Sequence, residues 1–381
     1  MQTFIIFILL MSLLVLVHEL GHFLTARFFG IKVNEFGFGL PPRLVGIQRQ
    51  EKKWRWIWGN HEIKESEPIV YSINWFPLGG FVKIKGENGE ALAENDSFTS
   101  KNPLQKIIVL AAGPIMNFLL CILLLTFGFI IGFPSISKEA GGVYLSKPQV
   151  QISQILKGYP AEIAGLAPGD IIFSIDGIIM ENSSQIRNYL QDKIAKEIIL
   201  KINRNNQLEE KKVVVGEIDG VGAIGVGIVD VGLVRYPPHL AFWQALKTSW
   251  YWLEMIFSAV KALINQLFGG AKSGVDFAGP VGIAVMTGQA AKLGFVYLLQ
   301  FVALLSLNLG IINLLPFPAL DGGRIGFIII ASLLGKREGS KWENLSHNIG
   351  FILLLILIIF ITYRDLIRYS GAMWEVFRKI F

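Results

Sequence analysis

The stretch that decides the fold is TFIIFILLMSLLVLVHELGHFLTARFFG, residues 3–30. A continuous apolar helix of this length, rising about 1.5 Å per residue, can cross the hydrocarbon core of a bilayer. The residues before it carry no positive charge, and no small-residue cleavage site follows it. The pattern therefore predicts a retained transmembrane helix over residues 1–29 rather than a cleaved signal peptide.

The composition predicts that the chain as a whole is an integral membrane protein. The 381 residues are 52% hydrophobic and only 17% charged, whereas a soluble domain carries about 25% charged residues. The single cysteine, Cys121, permits no intrachain disulfide and excludes a structural zinc site built from several cysteines. The formal charge of +6 is typical of basic loops in a membrane protein, so no nucleic-acid partner is expected.

Further apolar runs predict transmembrane helices at 104–133, at 294–323 (ending in a non-helical loop) and at 345–363. Lysine and arginine are concentrated between residues 31 and 103 and again between 324 and 341. The positive-inside rule makes both segments cytoplasmic and the segment between the second and third helices extracytoplasmic. Basic residues after the fourth helix, beginning at Arg364, oppose this orientation.

The predicted outer segment has two parts. Residues 148–232 alternate short strands with turns, including a strand at 171–175, and a helix begins near Asn182 or Ser183, either of which can cap it. This pattern predicts a compact α+β domain. Residues 239–270 form a predicted amphipathic helix whose tryptophans favour a position on the membrane surface. A fifth transmembrane span is the alternative for this helix.

Three ionisable groups lie within one turn of the first helix. His18 and His22 are four residues apart, so they project about 40° apart on one helical face and can hold one metal ion. Glu19 lies beside that face, where a general base for a metal-activated water is needed. Each such group inside a bilayer costs roughly 2 kcal/mol or more, which argues against an incidental cluster.

A third metal ligand is expected from Asp321, in the sequence NLLPFPALDGG of residues 313–323. Pro316 and Pro318 end the third helix and predict an extended stretch, because proline removes backbone donors. Non-helical backbone at this depth is tolerated where it lines a wet cavity, into which Asp321 would project. An ordinary helix-exit loop capped by aspartate is the alternative.

The paired motifs His18-Glu-Leu-Gly-His22 and Asn313-x-x-Pro-x-Pro-x-x-Asp321-Gly resemble the site-2 protease family of intramembrane zinc metalloproteases, in particular its bacterial regulator-of-sigma-E type. Further segments match the family in order: WFPLGGFV (75–82) resembles its membrane re-entrant β-loop, AGPIMN (112–117) its second-helix motif, and GPVGI (279–283) the segment before its third helix. The resemblance implies that one Zn²⁺ is held by His18, His22 and Asp321, with Glu19 as catalytic base.

The same resemblance implies a substrate and a place in the cell. A helical substrate must unwind before its carbonyls can reach the metal. Asn308 and Asn313 match asparagines of the family that bind or unwind the substrate, and the loop with Pro316 and Pro318 and the β-loop at Gly79 and Gly80 would receive it. The implied substrates are single-pass membrane proteins, such as an anti-sigma factor or remnant signal peptides, cleaved in the bacterial inner membrane near the cytoplasmic side.

Residues 148–232 resemble a single bacterial PDZ domain. The resemblance rests on LAPGD (166–170) and on a candidate carboxylate-binding loop at 223–228. Such a domain would bind a peptide C-terminus or exclude bulky substrates.

The predicted fold class is thus a polytopic α-helical membrane protein of about four transmembrane helices, with one extracytoplasmic α+β PDZ-like domain and a β-loop in residues 30–103. A metal-ion transporter and a catalytically inactive PDZ scaffold are the alternative functions. The transporter would not need Glu19, and the scaffold would not need an intact metal motif.

Overall fold

The computed structural model describes residues 2–50, 53–59, 68–87, 94–135, 142–156, 158–204, 207–218, 220–269, 278–335 and 341–378. The helices are α1 (Gln2–Phe28), α2 (Pro103–Ile131), α3 (Pro160–Ile163), α4 (Ser183–Gln191), α5 (Pro238–Gly269), α6 (Pro280–Leu293), α7 (Phe295–Leu314), α8 (Asp321–Leu333) and α9 (Lys341–Arg378). The strands are β1 (Val33–Gln50), β2 (Lys53–Trp58), β3 (Val70–Ile84), β4 (Phe133–Ser135), β5 (Val143–Tyr144), β6 (Gln149–Ile155), β7 (Ile171–Ile175), β8 (Ile178–Ile179), β9 (Glu197–Arg204), β10 (Gln207–Val214), β11 (Gly216–Ile218), β12 (Val221–Ala223) and β13 (Val226–Arg235).

The chain divides into two compact units. The first comprises residues 1–123, 248–289 and 301–381, and the second comprises 124–247 and 290–300. Among the described helices, those long and apolar enough to cross a membrane are Gln2–Phe28, Pro103–Ile131, Phe295–Leu314 and Leu345–Arg368. These agree with the spans predicted from hydropathy. The region predicted to be amphipathic forms the continuous helix α5, and its position on the membrane remains a prediction.

Besides the four-residue helix α3, two helices lie where none was predicted. Both α6 and α8 begin in glycine-rich sequence, which has low intrinsic helix propensity, so packing and capping decide their formation. The N-terminus of α6 is held by the buried carboxylate of Asp365, whose Oδ2 accepts a hydrogen bond from the Gly282 N–H at 2.7 Å. An acceptor at this place satisfies a backbone donor that a helix N-terminus leaves unpaired.

In the first unit, a sheet with the strand order β2-β1-β3 packs beside α1. Residues 35–38 of β1 have partners both in 70–73 and in 80–83, so β3 folds back between these two segments. The Ser12 hydroxyl on α1 donates to the Pro77 carbonyl oxygen at 2.6 Å and lies 3.3 Å from the Gly79 amide, from which it accepts. The predicted β-loop at 75–82 is therefore attached to the middle of a spanning helix, and its entry into the membrane remains a prediction.

Gly79 explains how the strand comes so close to the helix. Its φ is +87°, a backbone conformation that side chains disfavour, and a Cβ atom there would lie 2.8 Å from Val15. Glycine therefore meets both a conformational and a steric requirement at this position.

The second unit contains the α+β module. Its sheet has the order β10-β9-β7-β6-β13-β4, with antiparallel pairing throughout the described ladders. The predicted strand at 171–175 and helix α4 are both present, and the Asn182 side chain caps the helix by accepting from the Gln185 N–H. The core is aliphatic and includes Ile172, Ile186 and Leu200.

Candidate active site

Helix α1 presents its two histidines from one face, as the spacing of four residues requires. Both side chains are buried, and the Nε2 atoms of His18 and His22 lie 3.2 Å apart. The rings are nearly perpendicular, at 80°, with their nitrogens directed at each other. This arrangement leaves two imidazole nitrogens side by side on a predominantly apolar helix.

The carboxylate of Asp321 completes the cluster from the other end of the chain. Helix α7 ends at Leu314, a turn follows, and α8 begins at Asp321 itself. Asp321 Oδ2 lies 3.1 Å from His18 Nε2 and 3.4 Å from His22 Nε2. The three ligand-type residues that the sequence pattern singled out are therefore adjacent in space.

The segment that delivers Asp321 differs from its prediction. Instead of an extended stretch, residues 315–320 make a tight turn in which the Leu320 N–H donates to the Phe317 carbonyl oxygen at 3.1 Å. Proline prevented continuation of α7, as expected, but the following chain folds back to start α8. Gly322 makes this possible, because a Cβ atom there would lie 2.2 Å from the Leu314 carbonyl oxygen.

His18 Nε2, His22 Nε2 and Asp321 Oδ2 are arranged as ligands of a zinc ion would be, rather than as hydrogen-bond partners of one another. Asp321 Oδ2 is buried and, despite its short distances to both imidazoles, has no properly oriented hydrogen bond. Zinc binds nitrogen and carboxylate oxygen at about 2.0–2.2 Å with tetrahedral geometry, which sets adjacent ligand atoms about 3.3 Å apart. The observed separations of 3.1, 3.2 and 3.4 Å match that spacing, so His18, His22 and Asp321 could hold one Zn²⁺.

Each histidine has a polar partner behind it. His22 Nδ1 lies 2.8 Å from the Val109 carbonyl oxygen, so Nδ1 carries the proton and Nε2 is left with its lone pair. His18 Nδ1 lies 3.3 Å from the Asn117 amide, whose Oδ1 is buried without a hydrogen-bond partner. Turning that amide by 180° brings Oδ1 to His18 Nδ1–H and satisfies both groups. Asn117 was noted in the sequence only as part of a motif, and no local pattern identifies it as a partner of His18.

Helix α2 reaches the histidines because it carries glycine at the contact. A Cβ atom on Gly113 would lie 2.3 Å from His22 Nε2 and 2.8 Å from His18 Cε1. From the other side, a Cβ atom on Gly21 of α1 would lie 2.3 Å from the Ala112 carbonyl oxygen. Small residues of this kind permit close approach of membrane helices. The 112–117 segment therefore places Val109 and Asn117 against the imidazoles.

A cavity of about 210 Å³ adjoins the cluster. Glu19 lines it together with His18, His22 and Asp321, and β3 contributes Phe81, Val82 and Ile84. The Val82 backbone N–H faces the Glu19 carboxylate. Glu19 therefore lies where it can exchange a proton with a water or substrate in the cavity, as its place in the motif predicted.

Glu87 also lines this cavity and forms an ion pair with Arg324 of α8. Both side chains are partly exposed. The ion pair connects the chain after β3 to the helix that begins with Asp321. Neither residue was identified from the sequence, because the ion pair joins positions 237 residues apart.

The predicted substrate-binding residues lie on α7, on β3 and in the turn before Asp321. Asn308 and Asn313 are half-buried on α7, and Pro316 and Pro318 lie in the turn before Asp321. As far as the structure describes the cavity, its lining includes none of these four residues, nor Gly79 and Gly80, which are buried beside α1. Their roles in substrate binding remain predictions.

A second cavity, of about 380 Å³, lies within the α+β module. It runs between α4 and the start of β13, where Ile186 and Leu190 face Val226 and Ile228. Residues 223–228, predicted as a carboxylate-binding loop, line it throughout. The cavity is an apolar groove beside a strand, which is a form suited to an extended peptide.

The cavity is lined by two imidazoles and a glutamate from a helix apolar enough to span a membrane, and by an aspartate from α8. This combination of groups is that of a membrane metallohydrolase. The model of peptidase family M50 matches residues 6–59 and 61–357. The chain therefore belongs to peptidase family M50, the site-2 protease family, and is a zinc metalloprotease. This membership favours the protease over the transporter and inactive scaffold considered for the sequence.

Relatives match along nearly their whole length. A Clostridium perfringens protein that carries a provisional zinc-metalloprotease name is 33% identical over 96% of this chain and 98% of its own. Zinc metalloprotease RasP of Geobacillus kaustophilus is 28% identical over 97% of this chain and 99% of its own. Among solved structures, the PDZ domain of an SdrC-like protein from Listeria innocua matches 21% of this chain and 92% of its own, with 24% identity and a TM-score of 0.20. That score is too low for the match to establish the fold of the module.

Proposed function

We propose that this metalloprotease hydrolyses peptide bonds within or next to the transmembrane segments of single-pass membrane proteins. Zn²⁺ is held by His18, His22 and Asp321, and Glu19 is the general base. The observation that carries the proposal is the tetrahedral spacing of three ligand-type atoms, two of which belong to a helix apolar enough to span a membrane.

A zinc ion held by these residues would supply Lewis-acid polarisation of the scissile carbonyl and would lower the pKa of a nearby water. The remaining steps belong to the protein. Glu19 takes a proton from the attacking water and delivers it to the leaving amine, a role worth about 10²–10⁴-fold in rate. Asn117 and the Val109 carbonyl hold the imidazole rings so that Nε2 of each histidine is directed at the metal.

The neighbouring sheet supports an unwound substrate. Along the strand order β2-β1-β3, β3 is an edge strand, and its residues Phe81, Val82 and Ile84 line the cavity beside Glu19. An extended peptide added to this edge would place its carbonyl groups along the cavity. We place Asn308, Asn313, Pro316 and Pro318 on the path by which the substrate helix unwinds, with Gly79 and Gly80 holding the edge strand against α1.

The distribution of basic residues and the family resemblance support the cellular setting. We propose a multi-pass protein of the bacterial inner membrane, with the zinc site toward the cytoplasm and the α+β module outside. A trimmed anti-sigma factor or a remnant signal peptide fits the substrate class. The apolar groove between α4 and β13 supports a PDZ-like role, in which the module takes up a peptide C-terminus or limits access by bulky domains.

The test uses purified full-length protein reconstituted with zinc and a single-pass membrane protein substrate, with Glu19→Gln as the matched inactive control. We expect cleavage at a bond that mass spectrometry locates in or beside the transmembrane segment, and a loss of about 10²-fold or more in the Glu19→Gln variant. Equal cleavage by Glu19→Gln would refute the assigned base. Cleavage confined to soluble unfolded peptides would refute the intramembrane substrate.

A further inference from the structure

The cavity beside the proposed zinc ligands has two chemically different parts. One part is formed by the side chains already assigned to catalysis, His18, Glu19, His22 and Asp321. The other part is apolar, and the proposed hydrolysis gives it no role. A bound water needs two to four polar partners, so the attacking water does not explain this apolar part. Its lining residues are Phe81, Val82, Ile84, Phe98, Val109 and Leu110.

Most of the apolar wall comes from three separate segments. Ile84 ends β3, Phe98 begins the short 3₁₀ turn of residues 98–100, and Val109 and Leu110 lie on α2. Their exposed fractions are between 0 and 7%, and all four belong to one apolar cluster. Interiors packed in this way yield little when a group of the wrong size is inserted. The wall therefore has a definite shape.

Phe98, the largest of these four side chains, is held by its neighbours. The Lys106 ammonium nitrogen lies 5.8 Å from the centroid of its ring, which is a cation–π contact. The Phe98 backbone N–H donates to the Lys85 carbonyl oxygen at 2.8 Å. The Lys85 side chain in turn forms an ion pair with Asp96 at 3.0 Å. These contacts hold the ring at the cavity in the absence of substrate.

The size of the cavity limits what it can bind. Sites that enclose whole small molecules have volumes of about 300–1,000 Å³. This cavity has a volume of about 210 Å³, and part of that volume adjoins the proposed metal ligands. The apolar part therefore has room for one amino-acid side chain of intermediate size rather than for a separate small molecule.

The position of the wall indicates which substrate residue could enter. The Val109 carbonyl oxygen lies 2.8 Å from His22 Nδ1, so the wall begins directly beside a proposed zinc ligand. Adjacent Cα atoms of a peptide are about 3.8 Å apart. A peptide whose scissile carbonyl reaches the zinc ligands would therefore place in this space the side chain of a residue that flanks the scissile bond.

The charge at the cavity favours an apolar side chain over a basic one. Glu87 also lines the cavity, but its carboxylate is ion-paired with Arg324. A lysine or arginine of the substrate would have to displace that guanidinium or remain in the apolar part without a partner. Burial of an unpaired charge is strongly unfavourable.

We infer that the wall formed by Ile84, Phe98, Val109 and Leu110 is a specificity pocket for one residue that flanks the scissile bond. It selects an apolar side chain of intermediate size, such as leucine, and Phe98 and Leu110 set that size. The inference rests on the proposed function, because it assigns a substrate residue to the same site. It adds a requirement on one side chain, whereas unwinding of the substrate helix concerns the backbone.

The experiment uses full-length protein with zinc and single-pass reporters that differ only at the two residues flanking the bond located by mass spectrometry. Alanine, leucine, tryptophan or lysine is placed at each position in turn. Pairs of reporters compete in one reaction, so the ratio of their kcat/KM values is measured directly. Comparing these ratios between enzyme variants cancels the effect of each reporter on helix unwinding.

The enzyme variants change the size of the specificity pocket in opposite directions. Leu110→Ala enlarges it, and Leu110→Phe narrows it. Leu125→Ala is the matched control, because Leu125 is also a buried leucine of α2 and is not among the residues described as lining the cavity. Phe98→Leu is a second enlarging variant, which gives the same readout if Leu110→Ala does not fold.

We expect the wild type to prefer leucine to alanine, tryptophan and lysine by about tenfold or more at one flanking position, since one methylene in an apolar pocket is worth about 10–200-fold. Leu110→Ala should raise the tryptophan-to-leucine ratio about tenfold. Leu110→Phe should raise the alanine-to-leucine ratio, and Leu125→Ala should change neither ratio.

Ratios that are the same in the wild type and in the Leu110 variants, at both flanking positions, overturn the inference and leave the proposed function intact. An equal shift in Leu125→Ala also overturns it, because the change then reflects a general loosening of α2. If the wild type cleaves none of the reporters, the proposed function itself is refuted and the inference fails with it.

Discussion

Replacing Gly113 by alanine places a methyl group 2.3 Å from His22 Nε2, in a tightly packed part of the proposed zinc site. The contact must open to the 3.4 Å at which ordinary packing begins, a displacement of about 1.1 Å. The ring cannot turn aside freely, because its Nδ1 is hydrogen-bonded to the Val109 carbonyl oxygen. If α2 moves away instead, the contact of Asn117 with His18 is lost.

Movement of the His22 ring or of α2 by this distance exceeds what a metal site tolerates, because metal–ligand distances must stay within about 0.2 Å of their ideal values. A misplacement of about 1 Å in a catalytic group is worth roughly 10²-fold in rate. We therefore expect Gly113→Ala to lose cleavage by about that factor and to bind zinc at least about tenfold more weakly. The expected defect lies in the metal site, so the helical content of the protein should remain close to that of the wild type.

The measurements are bound zinc by elemental mass spectrometry after equilibration with a zinc buffer, and cleavage of a single-pass reporter. Gly326→Ala is the matched control, because Gly326 is also helical and nothing lies within 4 Å of its added Cβ. The reasoning is refuted if Gly113→Ala keeps wild-type zinc content and activity. It is equally refuted if Gly326→Ala loses both to the same extent.

Three further outcomes follow from the contacts described. Asn117→Ala should weaken zinc binding about tenfold by freeing the His18 ring, measured by competition with a chromophoric chelator; unchanged affinity would remove Asn117 from this role. A chelator should abolish cleavage, and added zinc should restore it in the wild type but not in Asp321→Ala; full restoration in that variant would exclude Asp321 as a ligand. Arg204→Ala should destabilise the α+β module by about 3 kcal/mol because it leaves the buried Asp170 carboxylate unpaired. Hydrogen exchange along β7 and β9 in the full chain measures that change, and protection equal to the wild type would contradict it.

Features that depend on local pattern could be predicted from the sequence. The long apolar run of α2 determines a helix whatever its neighbours, because every backbone group must be satisfied within the bilayer. The proximity of His18 and His22 follows from helix geometry alone. Asp321 could also be identified as a candidate ligand from the sequence, because a carboxylate after two prolines and before two glycines is conspicuous in so apolar a chain.

Features that depend on long-range packing could not be predicted. The double pairing of residues 35–38 with two parts of β3 has no local signature, because register is set by partners distant in sequence. The turn before Asp321 was predicted as extended because proline excludes a helix but does not choose between extended chain and turn. Gly113 and Asn117 matter because α2 packs against the histidines of α1, and the sequence of either helix alone does not indicate that contact.

The proposed ligands of the zinc site are far apart along the sequence, and this has a consequence for biosynthesis. His18 and His22 enter the membrane with the first helix, but Asp321 follows only after more than four fifths of the 381 residues have been made. A ribosome-bound chain therefore holds an incomplete ligand set while its own apolar helices are being inserted. With the proposed ligand set, proteolytic competence begins only when α8 reaches α1, after the apolar helices α1, α2 and α7 have been made.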